Sequence, residues 1–237
     1  MNLKYDFHLH SCLSPCGDND MTPYNLVNMA KLMGYDIIAL TDHNSCLNCP
    51  AAIKAGEQAG ITVVPGMELC TSEEIHTVCL FPTLENALEF SEYVKTTMSP
   101  IKNDENIFGN QYIMDDTDQI LGSEEILLTT ASEISIDDVV SEVSRFNGVV
   151  FPAHLDRASY SVLSVLGFMY PEMNFTCAEF THKAYIPQYE EKHPLLKGMK
   201  HLRNSDAHYL ENMLEASEEI DLPECTAQAV VDYILNK

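Results

Sequence analysis

Three observations predict an α/β fold built on a largely parallel sheet. Strand-like and helix-like segments alternate along most of the 237 residues. At least one strand, Asp36 to Thr41 (DIIALT), is a continuous apolar run, as expected of a strand covered on both faces. Chemistry-bearing side chains fall repeatedly at strand ends, where a closed βα sheet gathers its site.

Taken in order, Lys4 to His10 reads as the first strand. Thr22-Pro23 then opens a helix, with Thr as N-cap and Pro at the first helical position. Leu26, Val27, Met29, Ala30 and Met33 follow at helical spacing, and Gly34 stops the helix. After the strand at Asp36 to Thr41, Pro50 to Ala59 is helical and ends at Gly60. Ile61 to Glu68 and Ile75 to Phe81 read as strands, Leu84 to Thr97 as a helix, and Ile134 to Phe146 as another. Strands are expected at Val149 to Phe151, Phe175 to Phe180 and His201 to Asn204, with a closing helix over Ala227 to Leu235. The stretch from about 99 to 130 breaks the pattern. It is polar and alternates like a hairpin (QYIM, then EEILLTT), so it is expected as an insertion over or beside the site of a single 1–237 barrel domain.

Composition narrows the class. Apolar residues make up 46% and charged residues 21%, the balance of a globular protein and not of a disordered chain. No apolar run approaches the ~20 residues that span a bilayer. Met1 to His10 has no apolar signal-peptide core. A cytoplasmic protein with no membrane partner is therefore expected. Thirteen basic residues against 36 acidic ones give a net charge of −23, which offers nucleic acid no counterion-release affinity. The expected partner is a small anion admitted by bound metal ions, and long nucleic acid is not expected. The eight cysteines are expected as reduced thiols; Cys46-x-x-Cys49 lacks the second pair a structural zinc site needs.

The candidate ligands are histidines and carboxylates. His8 and His10 end the first strand, and the period-two alternation turns both to one face. Asp42-His43 ends the next strand, Glu68 the next, and His76 lies in the one after. His154 follows Val149 to Ala153, and Asp206 and His208 follow His201 to Asn204. One strand-end histidine is an ordinary loop residue, but so many independent ones on a barrel converge on one rim. Imidazole plus carboxylate without an obligatory thiolate suits Zn²⁺, Mn²⁺ or Fe²⁺. The donors exceed what one ion needs, so two to three divalent ions are expected, clamping a phosphoryl group between them.

The motifs D-F-H-L-H at the N-terminus, T-D-H-N at 41–44, P-G-M-E at 65–68, His76, P-A-H at 152–154 and S-D-A-H at 205–208 resemble the PHP (polymerase and histidinol phosphatase) superfamily in type and order. The resemblance implies a distorted (β/α)7 barrel, a trinuclear metal site at the strand C-termini and phosphoester hydrolysis through a metal-bridging hydroxide. By the same resemblance, His8, His10, Glu68 and Asp206 hold the first metal. Glu68 bridges to a second, completed by His76 and His154. His43 and His208 hold a third with an acid of the first loop, Asp18 or, failing it, Asp20. Asp206 or His208 is the candidate acid for the leaving group. Asp6 and Asp42 are expected to orient imidazoles.

Substrate contacts are expected from Arg157, as a phosphate fork or else in an ion pair, and from Lys183 and His182. The favoured reading is hydrolysis of a small phosphorylated molecule. Exonuclease or nucleotide-end processing, histidinol-phosphate phosphatase and a non-catalytic metal-binding regulatory domain stand as alternatives.

Overall fold

The computed structural model of the chain describes residues 1–235. Strand β1 spans Asn2–Leu9, and helix α1 spans Pro23–Met33, capped by the Thr22 side chain at its start and by left-handed Gly34 at its end. Then follow β2 (Ile37–Leu40), α2 (Cys49–Ala59), β3 (Thr62–Cys70), β4 (His76–Leu80) and α3 (Leu84–Thr97). The stretch from about 99 to 130 holds α4 (Glu105–Phe108) and a hairpin of β5 (Tyr112–Met114) and β6 (Ile120–Ser123). The chain returns through α5 (Val139–Ser144), β7 (Val149–Pro152), α6 (Val162–Val165), β8 (Cys177–Phe180), α7 (Ile186–Lys192), β9 (Lys200–Arg203), β10 (Glu219–Asp221) and α8 (Ala227–Ile234).

Six strands form a curled sheet in the order β10-β1-β2-β3-β4-β7, a half-barrel. The parallel pair β8-β9 closes the remaining arc. Leu155 N donates to Glu179 O on one side (2.9 Å), and Leu9 pairs with Ala207 on the other. This is the barrel-like α/β fold that the alternation predicts. Apolar side chains fill both faces of the sheet. Phe7, Ile37, Val64, Val78 and Phe151 pack with Val230 and Ile234 of α8, while Ile38, Leu40 and Cys79 pack with Leu26, Ala52 and Phe90 of the flanking helices. No described helix is long and apolar enough to cross a membrane.

The sheet is not uniformly parallel. β3 and β4 are joined as a hairpin, and β4 runs antiparallel to both β3 and β7. The reversal matters to the site: it puts the first residue of β4, His76, on the rim where the other strands end. Two expected elements also change. The helix expected at Ile134 to Phe146 forms only over Val139–Ser144. Ile134 and Ile136 are buried by a turn in which Asp138 N donates to Ser135 Oγ, so helical spacing arises there without a helix. The second hairpin strand is Ile120–Ser123 and not EEILLTT, because Asp115 Oδ1 accepts from Thr117 N and Gln119 N and closes the turn early. The hairpin lies beside the site. Tyr112 N donates to Cys12 O and Asn44 Nδ2 to Leu128 O, so it braces the loops after β1 and β2 from outside.

Candidate active site

Glu68 stands at the centre of the rim, almost wholly buried. Its Oε1 faces His8 Nε2 (3.1 Å), His76 Nδ1 (3.0 Å) and His154 Nε2 (3.3 Å). Its Oε2 faces His43 Nδ1 (2.9 Å) and His10 Nε2 (3.4 Å). Asp206 Oδ1 lies 3.4 Å from His8 Nε2 and 3.2 Å from His10 Nε2. Three overlapping donor groups result, each with ligand atoms within 4.8 Å of one another: His8, His10, Glu68 and Asp206; His43, Glu68 and His76; and His10, His43 and His208.

These donors fit divalent ions. Glu68 Oε2, His43 Nδ1 and Asp206 Oδ1 are buried and none makes a well-aligned hydrogen bond, although Oε2 and His43 Nδ1 lie 2.9 Å apart. Such atoms are costly to bury unless something positive sits between them. His8, His10, Glu68 and Asp206 come together in one donor group. His154 touches Glu68 but stands outside the Glu68–His76 group, where His43 enters instead, and His10 joins His43 and His208 in the third.

Local structure fixes which nitrogen each imidazole presents. The β1–β2 register shifts between Asp6 and Leu9, a bulge-like irregularity of the kind that re-aims side chains. His8 Nδ1 lies 2.9 Å from Glu179 Oε2, leaving Nε2 for the site. Ser14 Oγ donates to Asp42 Oδ1 (2.7 Å), so it accepts from His10 Nδ1 (3.0 Å) and Nε2 again faces inward. Asp42 thus acts on His10 through Ser14. Asp6 Oδ1 accepts from His8 N and Ser205 N and ties β1 to the loop that carries Asp206. His154 (φ 29°) and Asp206 (φ 52°) hold left-handed backbone, a conformation that clusters at functional sites.

Electrostatics within the cluster are strongly coupled. Burial opposes charge on His8, yet the carboxylates of Glu179, Asp206 and Glu68 outweigh it and raise its pKa well above the ordinary value. His10 and His43 are raised against burial in the same way. Burial would raise Glu68, but His76, His8 and His43 hold it well below the carboxylate range; Asp206 is likewise held low, chiefly by His8. His208 is pushed down to about 3 by burial and by His10, so it is neutral and ready to donate a lone pair. Burial raises Asp6 to about 6.

The remaining expected residues divide. Arg157 comes to the site: its Nη1 stands 2.5 Å from Asp206 Oδ2, and it lines a cavity of about 120 Å³ with His43, Glu68, His76, His154, Ser159, Tyr160, Asp206 and His208. Lys183 and His182 do not line that cavity. Lys183 pairs with Glu218, and His182 N donates to Asp156 Oδ2, which holds its segment on the outer side. Asp18 and Asp20 are outside all three donor groups. Asp18 N donates to His208 O, but its Oδ1 accepts from Asp20 N, and both acids line a neighbouring cavity with Tyr209 and Glu211. The Ser11–Gly17 loop turns on itself (Ser14 N donates to Ser11 O, Gly17 N to Ser14 O), and its Ser14 Oγ accepts from His43 N at 3.1 Å.

Glu179 was not foreseen as part of the site. A fully buried glutamate inside the apolar strand C-A-E-F was the available signal. It accepts from His8 Nδ1 and, at 3.4 Å, from His154 N, so it positions two histidines that face Glu68. Glu179→Gln should weaken metal affinity by about 10–100-fold, the usual effect of removing such a partner. Titration of metal-stripped protein with Zn²⁺ or Mn²⁺ checks it; unchanged affinity would leave Glu179 a packing residue.

Known proteins resemble this chain in fold and in part of its sequence. A lesion-specific endonuclease from Pyrococcus furiosus aligns over 100% of this chain and 56% of its own, with TM-score 0.69 and 17% identity. A structure from Bifidobacterium adolescentis described as a metal-dependent phosphoesterase covers 98% of this chain and 95% of its own, with TM-score 0.61 and 17% identity. A 5′-3′ exoribonuclease of Haemophilus influenzae is 36% identical over 83 residues, which is 34% of this chain and 29% of that protein. The match thus spans under a third of that relative's length.

Relatives named for action on nucleic acid overturn the expectation that long nucleic acid is excluded and that the partner is a small molecule. Among them is endonuclease Q, solved with a 27-mer duplex carrying an abasic lesion at its active site, with TM-score 0.64 and 17% identity, over 100% of this chain and 57% of its own. Net charge misleads here because a surface charge is screened beyond ~8–10 Å at physiological salt. Local charge at the rim, Arg157 and bound cations included, decides whether a phosphate enters. The expected family stands: residues 6–219 match the family model of the PHP domain, and the chain belongs to that family.

Proposed function

We propose that the chain cleaves phosphodiester bonds of nucleic acid, at ends or at extruded nucleotides, with two to three divalent ions held by the Glu68 cluster. The observation that carries this is the placement of buried Glu68, each of whose oxygens faces a different set of imidazoles. The donors suit Zn²⁺, Mn²⁺ or Fe²⁺. Ions bound there would lower the pKa of an attacking water and neutralise charge on the phosphoryl oxygens.

The chain's own residues do the rest. His8, His10 and His208 present Nε2 because Glu179, Ser14 and the Asp206 carbonyl occupy their Nδ1 atoms. Arg157, now on Asp206, has its fork at the cavity mouth, where it can take a phosphate oxygen pair. His208, partly exposed at the rim and neutral, would offer its Nε2 lone pair to an ion there. A cavity of about 120 Å³ holds one phosphate and its neighbours, which suits a strand end or a flipped nucleotide better than an intact duplex track.

The test uses metal-loaded protein on end-labelled single-stranded RNA and DNA, nicked duplex and 4-nitrophenyl phosphate. Elemental analysis should find more than one divalent ion per chain, and the oligonucleotides should be shortened. Hydrolysis of the monoester alone, or one ion or fewer per chain, would overturn the reading.

A further inference from the structure

Tyr160 is a bulky residue in left-handed backbone (φ 56°) with 48% of its surface exposed, at the edge of the metal-facing cavity. The left-handed backbone is unfavourable in isolation for a bulky residue. Its position is nevertheless tightly held. His76 N donates to Tyr160 O (2.8 Å), and the Tyr160 ring lies flat on the His76 ring, centroids 4.6 Å apart at 20°. The loop that carries it is pinned at several points. Arg157 N donates to His154 O, Ser161 Oγ to Arg157 O, and Asp156 accepts from Thr181 N and Oγ1. One face of the ring covers His76, and much of the rest is open to the cavity mouth.

One short loop therefore carries a site imidazole (His154), a cation (Arg157) and a rigid exposed aromatic (Tyr160). In a chain of net charge −23, affinity for nucleic acid needs a source other than a basic track. Base stacking is such a source. It requires no charge, tolerates any base, and is worth roughly five- to a hundredfold in affinity per base.

We propose that Tyr160 is a stacking platform for the base that adjoins the scissile phosphate, and so a positioning residue that makes the substrate a base-bearing phosphodiester. This rests on the nucleic-acid reading above and adds to it a named contact. Arg157 takes the phosphate and Tyr160 the neighbouring base.

The experiment compares metal-loaded wild type, Tyr160→Ala and Tyr160→Phe on one single-stranded oligomer in three forms: normal, abasic at the nucleotide beside the cleaved bond, and bearing 2-aminopurine there. Wild type and Tyr160→Phe should favour the normal form over the abasic one by about tenfold in KM, and should quench 2-aminopurine fluorescence on binding. Tyr160→Ala should lose both the preference and the quench while keeping its metal content. An alanine variant with wild-type preference and quench would overturn the proposal and leave the nucleic-acid reading intact. So would one that loses metal and kcat with KM unchanged, since the ring would then only shield His76. A wild type that cuts none of the oligomers would overturn the nucleic-acid reading itself, and this proposal with it.

Discussion

Glu68→Gln should lower kcat by on the order of a thousandfold or more and release bound metal, with the secondary structure intact. Glutamine keeps the shape of the side chain, but its amide nitrogen is a donor where an acceptor was needed. At most one oxygen then faces the five imidazoles that surround the carboxylate. In the metal-free protein the same change leaves the raised histidines His8, His10 and His43 without their shared counter-charge. Removing one partner from a buried ionic cluster costs about 3–5 kcal/mol. The metal-free variant should therefore also melt below metal-free wild type. Kinetics, elemental analysis and thermal melts on one preparation check all three. Full activity in Glu68→Gln would show that another residue holds the ions together.

The converging histidines and carboxylates are legible because strand alternation and strand ends are written locally. His8 and His10 are two residues apart, as are Asp206 and His208, and Glu68 closes an apolar run. What could not be read was direction. Nothing in Ile75 to Phe81 says that β4 runs backwards, and only the hairpin with β3 explains why His76, a strand's first residue, shares a rim with strand ends. Loop geometry was equally hidden. Asp18 lies in the first loop, where the resemblance implies an acid, but its carboxylate accepts from the amide of Asp20, a short-range bond that competes with any longer reach. Glu179 was invisible for the opposite reason: its partners, His8 and His154, are distant in sequence and meet it only through the barrel's closure. Lys183 follows a site strand, as Arg157 does, but a nearer acid, Glu218, claims it on the outer side. For exposed cations, the nearest carboxylate decides placement, and sequence does not name it.

The coupled charges of the rim predict an unusual response to pH and metal removal. Glu68 and Asp206 are held below the ordinary carboxylate range, so their stabilising contribution is present above about pH 4 and is lost on acidification through their lowered values. His8, His10 and His43 are raised, so theirs is complete below about pH 6.5 and is lost as pH rises through their folded values. His208, lowered to about 3, has the opposite sign and costs stability on acidification below about 6.5, one ring against three. Metal-free protein should therefore be most stable on the mildly acidic side, about pH 5–6, and soften toward pH 8. Divalent ions need the same imidazoles neutral, so their affinity rises over that interval. The rise in Tm on metal addition should thus grow from pH 5.5 to pH 8, by several degrees, since 1 kcal/mol moves Tm by about 2–4 °C in a chain of this size. Paired melts of chelator-treated and metal-loaded protein across that range measure it. A metal-free Tm that climbs steadily to pH 8 would mean that the imidazoles and carboxylates come together only around the ions, and that the assembled rim is a property of the loaded protein alone.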